Sequence, residues 1–318
     1  MLSFLEMDLR QLAALVAIAD HGTFSAAARA LFTVQSNVSG HINRLEKELG
    51  VVLIDRLRGG LTDEGGQVVE RARRVLRELD DMTADMASRG DSVKGPARLG
   101  VIGTTARWLM PQLLPGLQAV HPLVHLTIYE GSTTNLISRL SAGHLDAAVV
   151  HLPVDDPDLA VEPLFAEDLI VLVHNSHQWA QEGEISLKRV ARERILLPPK
   201  GTAMRRMLDK AAAGVGASLR PQAEIDGVRL LASLAMEGFG AAIVPSTAVP
   251  RWLTGEFTRV HVPELPRRVV GWTHRRRPLP SAPSRAVLRI VRTILETNTD
   301  AQPGIYVGGE AFPLGKSL

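Results

Sequence analysis

Thr33, Gln35, Ser36, Asn37, Ser39 and His41 crowd one short stretch of this chain. Each carries a side chain that both donates and accepts hydrogen bonds, the equipment needed to read base edges in a DNA major groove. Arg29, Arg44, Lys47, Arg56 and Arg58 surround the stretch and would supply phosphate contacts if the fold gathers them on one side. The same polar residues would equally suit the solvated face of a small helical packing unit.

A second set of residues recurs at intervals farther on: Gly103-Thr104-Thr105, Gly131-Ser132-Thr133-Thr134, Lys200-Gly201-Thr202 and Asp226-Gly227. Each set lies where a strand pattern gives way to a helix pattern. Glycine lets backbone N–H groups face outward, hydroxyls add donors, and helix N-termini favour an anion. In open α/β sheets such junctions line the ligand cleft. His151 and Lys200 are the cationic candidates for meeting an anionic group there. Asp226 would repel it, unless it caps its own helix or binds a ligand hydroxyl. Plain N-capping accounts better for any one of these junctions alone; it is four of them brought around one cleft that favour a ligand site.

Several chemistries are excluded. No GxSxG, HExxH or GxxxxGK[ST] pattern occurs, so no catalytic residue is expected and the chain does not read as an enzyme. The 318 residues contain no cysteine, which removes disulfides, thiolate metal sites and thiol redox sensing. His174 and His177 fit a turn after a strand, and no metal or cofactor is expected. No transmembrane or signal segment is expected, since Glu6, Asp8 and Arg10 interrupt the apolar run before Leu12–Ala19. A cytoplasmic location without membrane contact follows as the default.

Charge argues less. Residues 1–90 hold 11 Lys and Arg against 13 Asp and Glu, a net of −2. DNA binding there requires local sorting of charge. The stretch from Glu264 to Arg292 has eight arginines against one acidic residue; the Arg275-Arg276-Arg277 run reads as a solvated loop.

The elements that must position these groups can be read from periodicity. Leu12, Val16 and Ala19 stripe a helix over Leu9–His21, closed by Gly22. Ser25–Leu31 follows, rich in small alanines, then Gln35–Leu49 with Val38, Ile42, Leu45 and Leu49 inward. Val51–Ile54 and Leu61-Thr62 flank a hairpin wing. A long helix over Asp63–Ser88 repeats Ala72, Val75, Leu79, Met82 and Met86 as a narrow apolar seam, which suits a symmetric partner helix. Gly90, Asp91, Ser92, Gly95 and Pro96 make a linker. Alternating strands and helices then argue for a parallel sheet with helices on both faces. Pro111 and Pro115 should sit near turns of a helix that starts about Arg107. The Gly- and Pro-rich tail 298–318 should be poorly ordered.

Over Met7 to Gly66 the sequence resembles the DNA-binding domain of LysR-type transcriptional regulators. The matching residues are Leu9, Gly22 to Phe24, Ala26 to Ala28, Leu31, Gln35, Ser39, Ile42, Leu45-Glu46, Leu49-Gly50, Asp55-Arg56 and Leu61-Thr62. Residues 97–292 resemble that family's effector domain by pattern. The resemblance makes Met1–Glu6 a dispensable extension.

It implies an α/β protein with an all-α N-terminal winged helix-turn-helix (7–65), a long linker helix (63–89) and a two-lobed α/β effector domain resembling periplasmic binding proteins. Lobe I would span about 97–166 and 267–292, and lobe II 167–266. It further implies a homodimer or homotetramer that binds double-stranded DNA, a small and often carboxylate effector between the lobes, contact with RNA polymerase, and an Arg56 that approaches the minor groove. The alternative is a metabolite-binding module whose N-terminal helices serve only assembly. Val34, Ser36 and Gly40 replace a serine or alanine, a proline and an arginine common in relatives, so base choice should differ in detail.

Overall fold

The computed structural model describes residues 7–56, 59–88, 92–298 and 302–308. Expectations at Met1–Glu6, Arg58, Gly90, Asp91 and 309–318 lie outside the described residues. By contacts the chain divides into two units, Met1–Ala87 with Ala142–His144, and Ser88–Ser141 with Leu145–Leu318.

The first unit is a helical cluster with a small wing. α1 (Leu9–His21) starts with a reciprocal cap in which Asp8 and Gln11 satisfy each other's backbone N–H, and ends on Gly22 at φ +76°. α2 (Phe24–Ala30) is capped by Thr23, and α3 (Gln35–Leu49) ends on Gly50 at φ +70°. Ala14, Leu15, Ala27, Val38, Ile42, Leu45 and Leu53 are fully enclosed, with the alanines permitting close helix approach. β1 (Ile54–Asp55) and β2 (Gly60–Leu61) pair antiparallel as the wing. Glu46 fixes its base by accepting the N–H groups of Leu53 (2.8 Å) and Ile54 (3.1 Å).

Thr62 begins α4 (Asp63–Ala87). Its hydroxyl accepts the Gly65 N–H (2.9 Å) and donates to Val52 O (2.7 Å). The expected apolar seam of this helix divides. Ala72 is buried with Val69 in the unit's own core, with Val68 and Leu76 packed beside it. Ala72 is therefore not available to a partner. Val75, Met82 and Met86 are exposed and Leu79 half-buried. The Arg73 guanidinium grips Asp20 of α1 with both nitrogens.

The second unit contains two sheets joined by two crossings. β3 (Lys94–Ile102), α5 (Gly103–Val120), β4 (Leu123–Gly131), α6 (Thr133–Ser141), β5 (Ala147–His151) and β6 (Leu159–Glu167) begin the first lobe. The second lobe holds β7 (Leu169–His174), α7 (Leu187–Val190), β8 (Arg194–Leu197), α8 (Ala203–Gly214), β9 (Arg220–Glu224), α9 (Val228–Met236), β10 (Ala242–Pro245), a 3-10 turn (Ser246–Ala248) and β11 (Phe257–Val260). β12 (Arg268–Arg275), α10 (Ala282–Asn298) and β13 (Ile305–Tyr306) return to the first lobe. The strand orders are β13-β6-β12-β5-β3-β4 and β11-β7-β10-β8-β9.

Both sheets are mixed, not parallel throughout. β3, β4 and β5 run parallel, as do β8, β9 and β10, while β12, β6, β13, β7 and β11 pair antiparallel. In β7, Leu169, Val171 and Val173 face the α7–α8 side, and Ile170 and Leu172 the α9 side. This continuous apolar run reads as a strand buried on both faces.

Three expectations need correction, and one strand, β6, escaped the sequence reading. α5 begins at Gly103 and runs through Pro111 and Pro115. Both prolines lie on its exposed side, where released carbonyls can be hydrated, while Trp108, Leu109, Leu113 and Leu117 bury the other face. Gly95 and Pro96 belong to β3, paired with Val124 and His125. β6 contains Pro163, a poor strand residue, and the register shifts opposite Val270 and Gly271, so the ladder bulges around it. Within the tail, Gln302 is buried, and Ile305 and Tyr306 pair with Glu167 and Ala166; this part is ordered because it closes the edge of β6.

A Cβ on Gly65 would lie 2.1 Å from Leu53 O, whereas one on Gly66 would meet nothing within 4 Å. Gly65→Ala should destabilise the winged unit by about 1–3 kcal/mol through overpacking. Gly66→Ala should stabilise it by about 0.5–1 kcal/mol through helix propensity. Urea denaturation followed by circular dichroism checks the opposite signs.

Candidate nucleic-acid interface and ligand cleft

The first turns of α3 carry the polar stretch. Val34 occupies the cap position and supplies no side-chain bond, while the Asn37 N–H turns back to Val34 O (3.1 Å). Gln35, Ser36 and Asn37 are exposed, and Ser39 and His41 half-exposed. Gln35 Oε1 accepts from Ser25 (2.7 Å), and Asn37 Nδ2 donates to the Thr33 hydroxyl (3.0 Å). These bonds orient Gln35 and Asn37 before anything binds. Arg44 donates to Gly40 O (3.3 Å) and meets His41 Nδ1 at 3.1 Å. Arg56 at the wing bonds Asn43 and lies 3.6 Å from Glu46. Asn43 escaped the sequence reading; its spacing places it one turn beyond Ser39, where it steers the wing arginine.

In the second unit the first-lobe helix start and both crossings converge on one buried ion pair. Arg268, the first residue of β12, donates through Nε to Glu167 Oε1 (2.9 Å), the last residue of β6. Its Nη2 also bonds Glu167, Thr104 Oγ1 (2.9 Å) and Thr247 Oγ1 (3.5 Å). The Thr247 N–H donates to the other Glu167 oxygen (2.9 Å). Glu167 is fully enclosed and Arg268 only 4% exposed. No local signal marked these two residues, which lie far apart in the chain.

The ordered C-terminal residues clasp the same place. Asp168 donates its N–H to Gly304 O (2.8 Å) and accepts from the Tyr306 hydroxyl (2.8 Å) and Arg267 Nε (3.2 Å). Gln302 Nε2 donates to Ser246 O (3.2 Å), and its Oε1 accepts the Arg251 N–H (2.9 Å).

His151 differs from expectation. It is buried at the end of β5, and its pKa is pushed down to about 4 by burial first, then by the charges of Arg268 and Arg206. It is therefore neutral, not cationic. The cations that face this region are Arg206 of α8 and Arg268. Its backbone N–H donates to Thr133 Oγ1 (3.2 Å). Thr105 Oγ1 is enclosed with no hydrogen-bond partner among the described residues.

Most of the other expected ligand hydroxyls have structural partners. Thr104 serves Arg268, Ser132 accepts the Asn135 N–H (3.3 Å), and Thr202 caps α8 through Arg205 N (3.2 Å). Gly201 adopts φ +87° and offers its carbonyl to Arg206. Lys200 and Asp226 are exposed, and α9 starts on Gly227 without a side-chain cap. Asp226 thus does not cap its helix.

Glu130 of β4 and Arg229 of α9 form an ion pair between the lobes (2.6 Å), beside Gly103. The arginine run is structural in part. Arg275 donates to Leu140 O (2.8 Å) and Leu145 O (2.7 Å), and Arg276 to Pro157 O (3.1 Å).

Residues 9–66 match the family model of the bacterial regulatory helix-turn-helix protein, lysR family, and residues 90–296 that of the LysR substrate binding domain. The chain is 30% identical over 247 residues to a hydrogen peroxide-inducible genes activator of Pectobacterium carotovorum subsp. carotovorum, covering 77% of this chain and 82% of that one. It is similar to full-length OxyR from Pseudomonas aeruginosa, a cysteine-to-aspartate variant, with TM-score 0.72, 25% identity and 94% and 98% coverage of the two chains. Full-length CbnR complexed with its target DNA shares the fold, with TM-score 0.69, 24% identity and 90% and 99% coverage.

His151 takes up a proton at about pH 4 when folded and near 6.5 when unfolded. Its contribution to stability is therefore present above pH 6.5 and is lost as pH falls toward 4. Difference curves of unfolding free energy between parent and His151→Asn should show that slope disappearing. Glu167→Ala or Arg268→Ala alone should each cost about 3–5 kcal/mol, since each strands a buried charge. A double variant well below the sum of the singles, measured by chemical denaturation, checks the coupling.

Proposed function

We propose a role for this chain, which belongs to the LysR family of bacterial regulators, as a sequence-specific DNA-binding transcriptional regulator controlled by a small anionic effector. The observation that carries this reading is the uncapped start of α3, with its exposed, pre-oriented Gln35 and Asn37, inside a winged helical unit.

In this reading Thr33, Gln35, Ser36, Asn37, Ser39 and His41 meet bases, Arg44 and Arg58 meet the sugar–phosphate backbone, and Arg56 approaches the minor groove. Val75, Leu79, Met82 and Met86 of α4 form the apolar contact with a second copy, giving a homodimer or homotetramer on an interrupted palindrome. RNA polymerase would be the partner engaged on DNA, and the cytoplasm the place of action.

The effector would lie between the lobes, beside Thr104, Thr105, Thr133 and His151 on one side and Gly201, Thr202 and Arg206 on the other. Ser132, Lys200 and Asp226 would line its rim. Arg206 favours an anion, Arg268 being already neutralised by Glu167, and neutral His151 adds a hydrogen bond without charge. The name of the relatives refers to induction by hydrogen peroxide. This sequence has no thiol to oxidise, so its signal would be a reversibly bound ligand.

DNA titrations at several salt concentrations test the reading: affinity for a selected duplex should exceed that for random duplex and fall steeply with salt. Absence of any sequence preference would favour the metabolite-binding alternative. Gln35→Ala and Ser39→Ala should each lower discrimination about 5–100-fold while leaving the sedimentation profile unchanged. Hydrogen peroxide should leave DNA affinity of the parent unaltered.

A further inference from the structure

Phe32 lies in the turn between α2 and α3 with 98% of its surface exposed, and its φ is +52°. It is the non-glycine residue with positive φ among the described residues. Both properties are unfavourable in the isolated fold. A bulky L-residue in the left-handed region carries a steric cost, and an exposed ring gains nothing from burial. The turn does not need the ring. The Phe32 N–H donates to Arg29 O (3.2 Å) and the Thr33 N–H to Ala28 O (2.9 Å), bonds that asparagine would allow with less strain.

The ring is also not isolated. Leu31 and Val34, on either side of the turn, are 38% and 60% exposed. This apolar edge adjoins the polar start of α3, with Thr33 between them holding Asn37. A contact between two protein copies here would bury those polar groups as well. A major groove instead offers both chemistries side by side, acceptors and donors on base edges and the C5-methyl group of thymine.

We infer that Phe32 is a specificity-determining DNA contact whose ring packs on thymine methyl groups beside the bases read by Gln35 and Asn37. The inference rests on the DNA-binding reading above and adds a base preference to it. The turn gives up local ease and ring burial in the free protein, and the ring is covered when a thymine-bearing half-site is bound.

The test uses the full chain and a duplex that it selects from a random library. Each thymine of the selected half-site is replaced in turn by deoxyuridine, which removes only the methyl group. Loss of a contacted methyl should weaken parent binding about fourfold. Phe32→Asn should bind the thymine duplex several-fold more weakly and show no further loss on the deoxyuridine duplex. Its melting temperature should equal or exceed the parent's. Phe32→Ala repeats the comparison should asparagine disturb the turn.

Parent-like affinity of both variants would overturn the inference, as would a deoxyuridine penalty that persists in full in them. A changed association state with unchanged DNA affinity would assign the ring to a protein contact and overturn it too. Failure of the parent to select any duplex would count against DNA recognition itself, a distinguishable outcome.

Discussion

The Arg268–Glu167 pair is the interaction on which the arrangement of the second unit depends. Neither charge can remain buried without the other, because desolvating an ion costs several kcal/mol and only a well-aligned partner offsets it. The two residues stand at opposite crossings between the lobes, Glu167 where the chain leaves the first lobe and Arg268 where it returns. Keeping the pair intact therefore holds the two crossings together. Thr104 brings the start of α5 to the same guanidinium, and Thr247 brings the turn after β10. Through Asp168, the segment Gln302–Tyr306 is drawn onto the same place.

The opposite kind of contact spans the lobes at Glu130 and Arg229. Both side chains are nearly half exposed, so solvent screens the pair and its contribution is small. It can open at little cost. At the end of β5, burial first and then the charges of Arg268 and Arg206 depress the pKa of His151. Arg268 is neutralised by Glu167 and His151 is uncharged, so in the proposed reading Arg206 supplies the positive charge that meets an anion. The sequence reading assigned that charge to His151 and Lys200. It missed Arg268 because only the folded crossings bring it beside the end of β5.

Legibility differed between the two units for a physical reason. In the winged unit, contacts are short in sequence: caps, i to i+4 stripes and glycine stops set α1 and α3 to the residue. Ala72 was misread because one apolar stripe on α4 serves two surfaces, and spacing does not say which residues turn inward. In the second unit, β6 and β11 went unread. Pro163 interrupts one, and the other is a short edge strand whose partners lie far away along the chain. The ordered tail was hidden likewise, since its glycines and proline resemble linker composition until β6 offers them an edge.

Regulation adds an energetic condition to this architecture. An effector shifts an equilibrium between two states only by the difference in its affinity for them. A ligand held by the first lobe alone, through Thr105 and Thr133, would bind both states equally and transmit nothing. One that also engages Arg206 and the Gly201-Thr202 turn is bound fully only when the lobes stand at one separation. In the proposed reading an exposed pair such as Glu130–Arg229, screened by solvent, would add little to the cost of changing that separation. A buried pair kept in both states, as Arg268–Glu167 would be, would drop out of the difference.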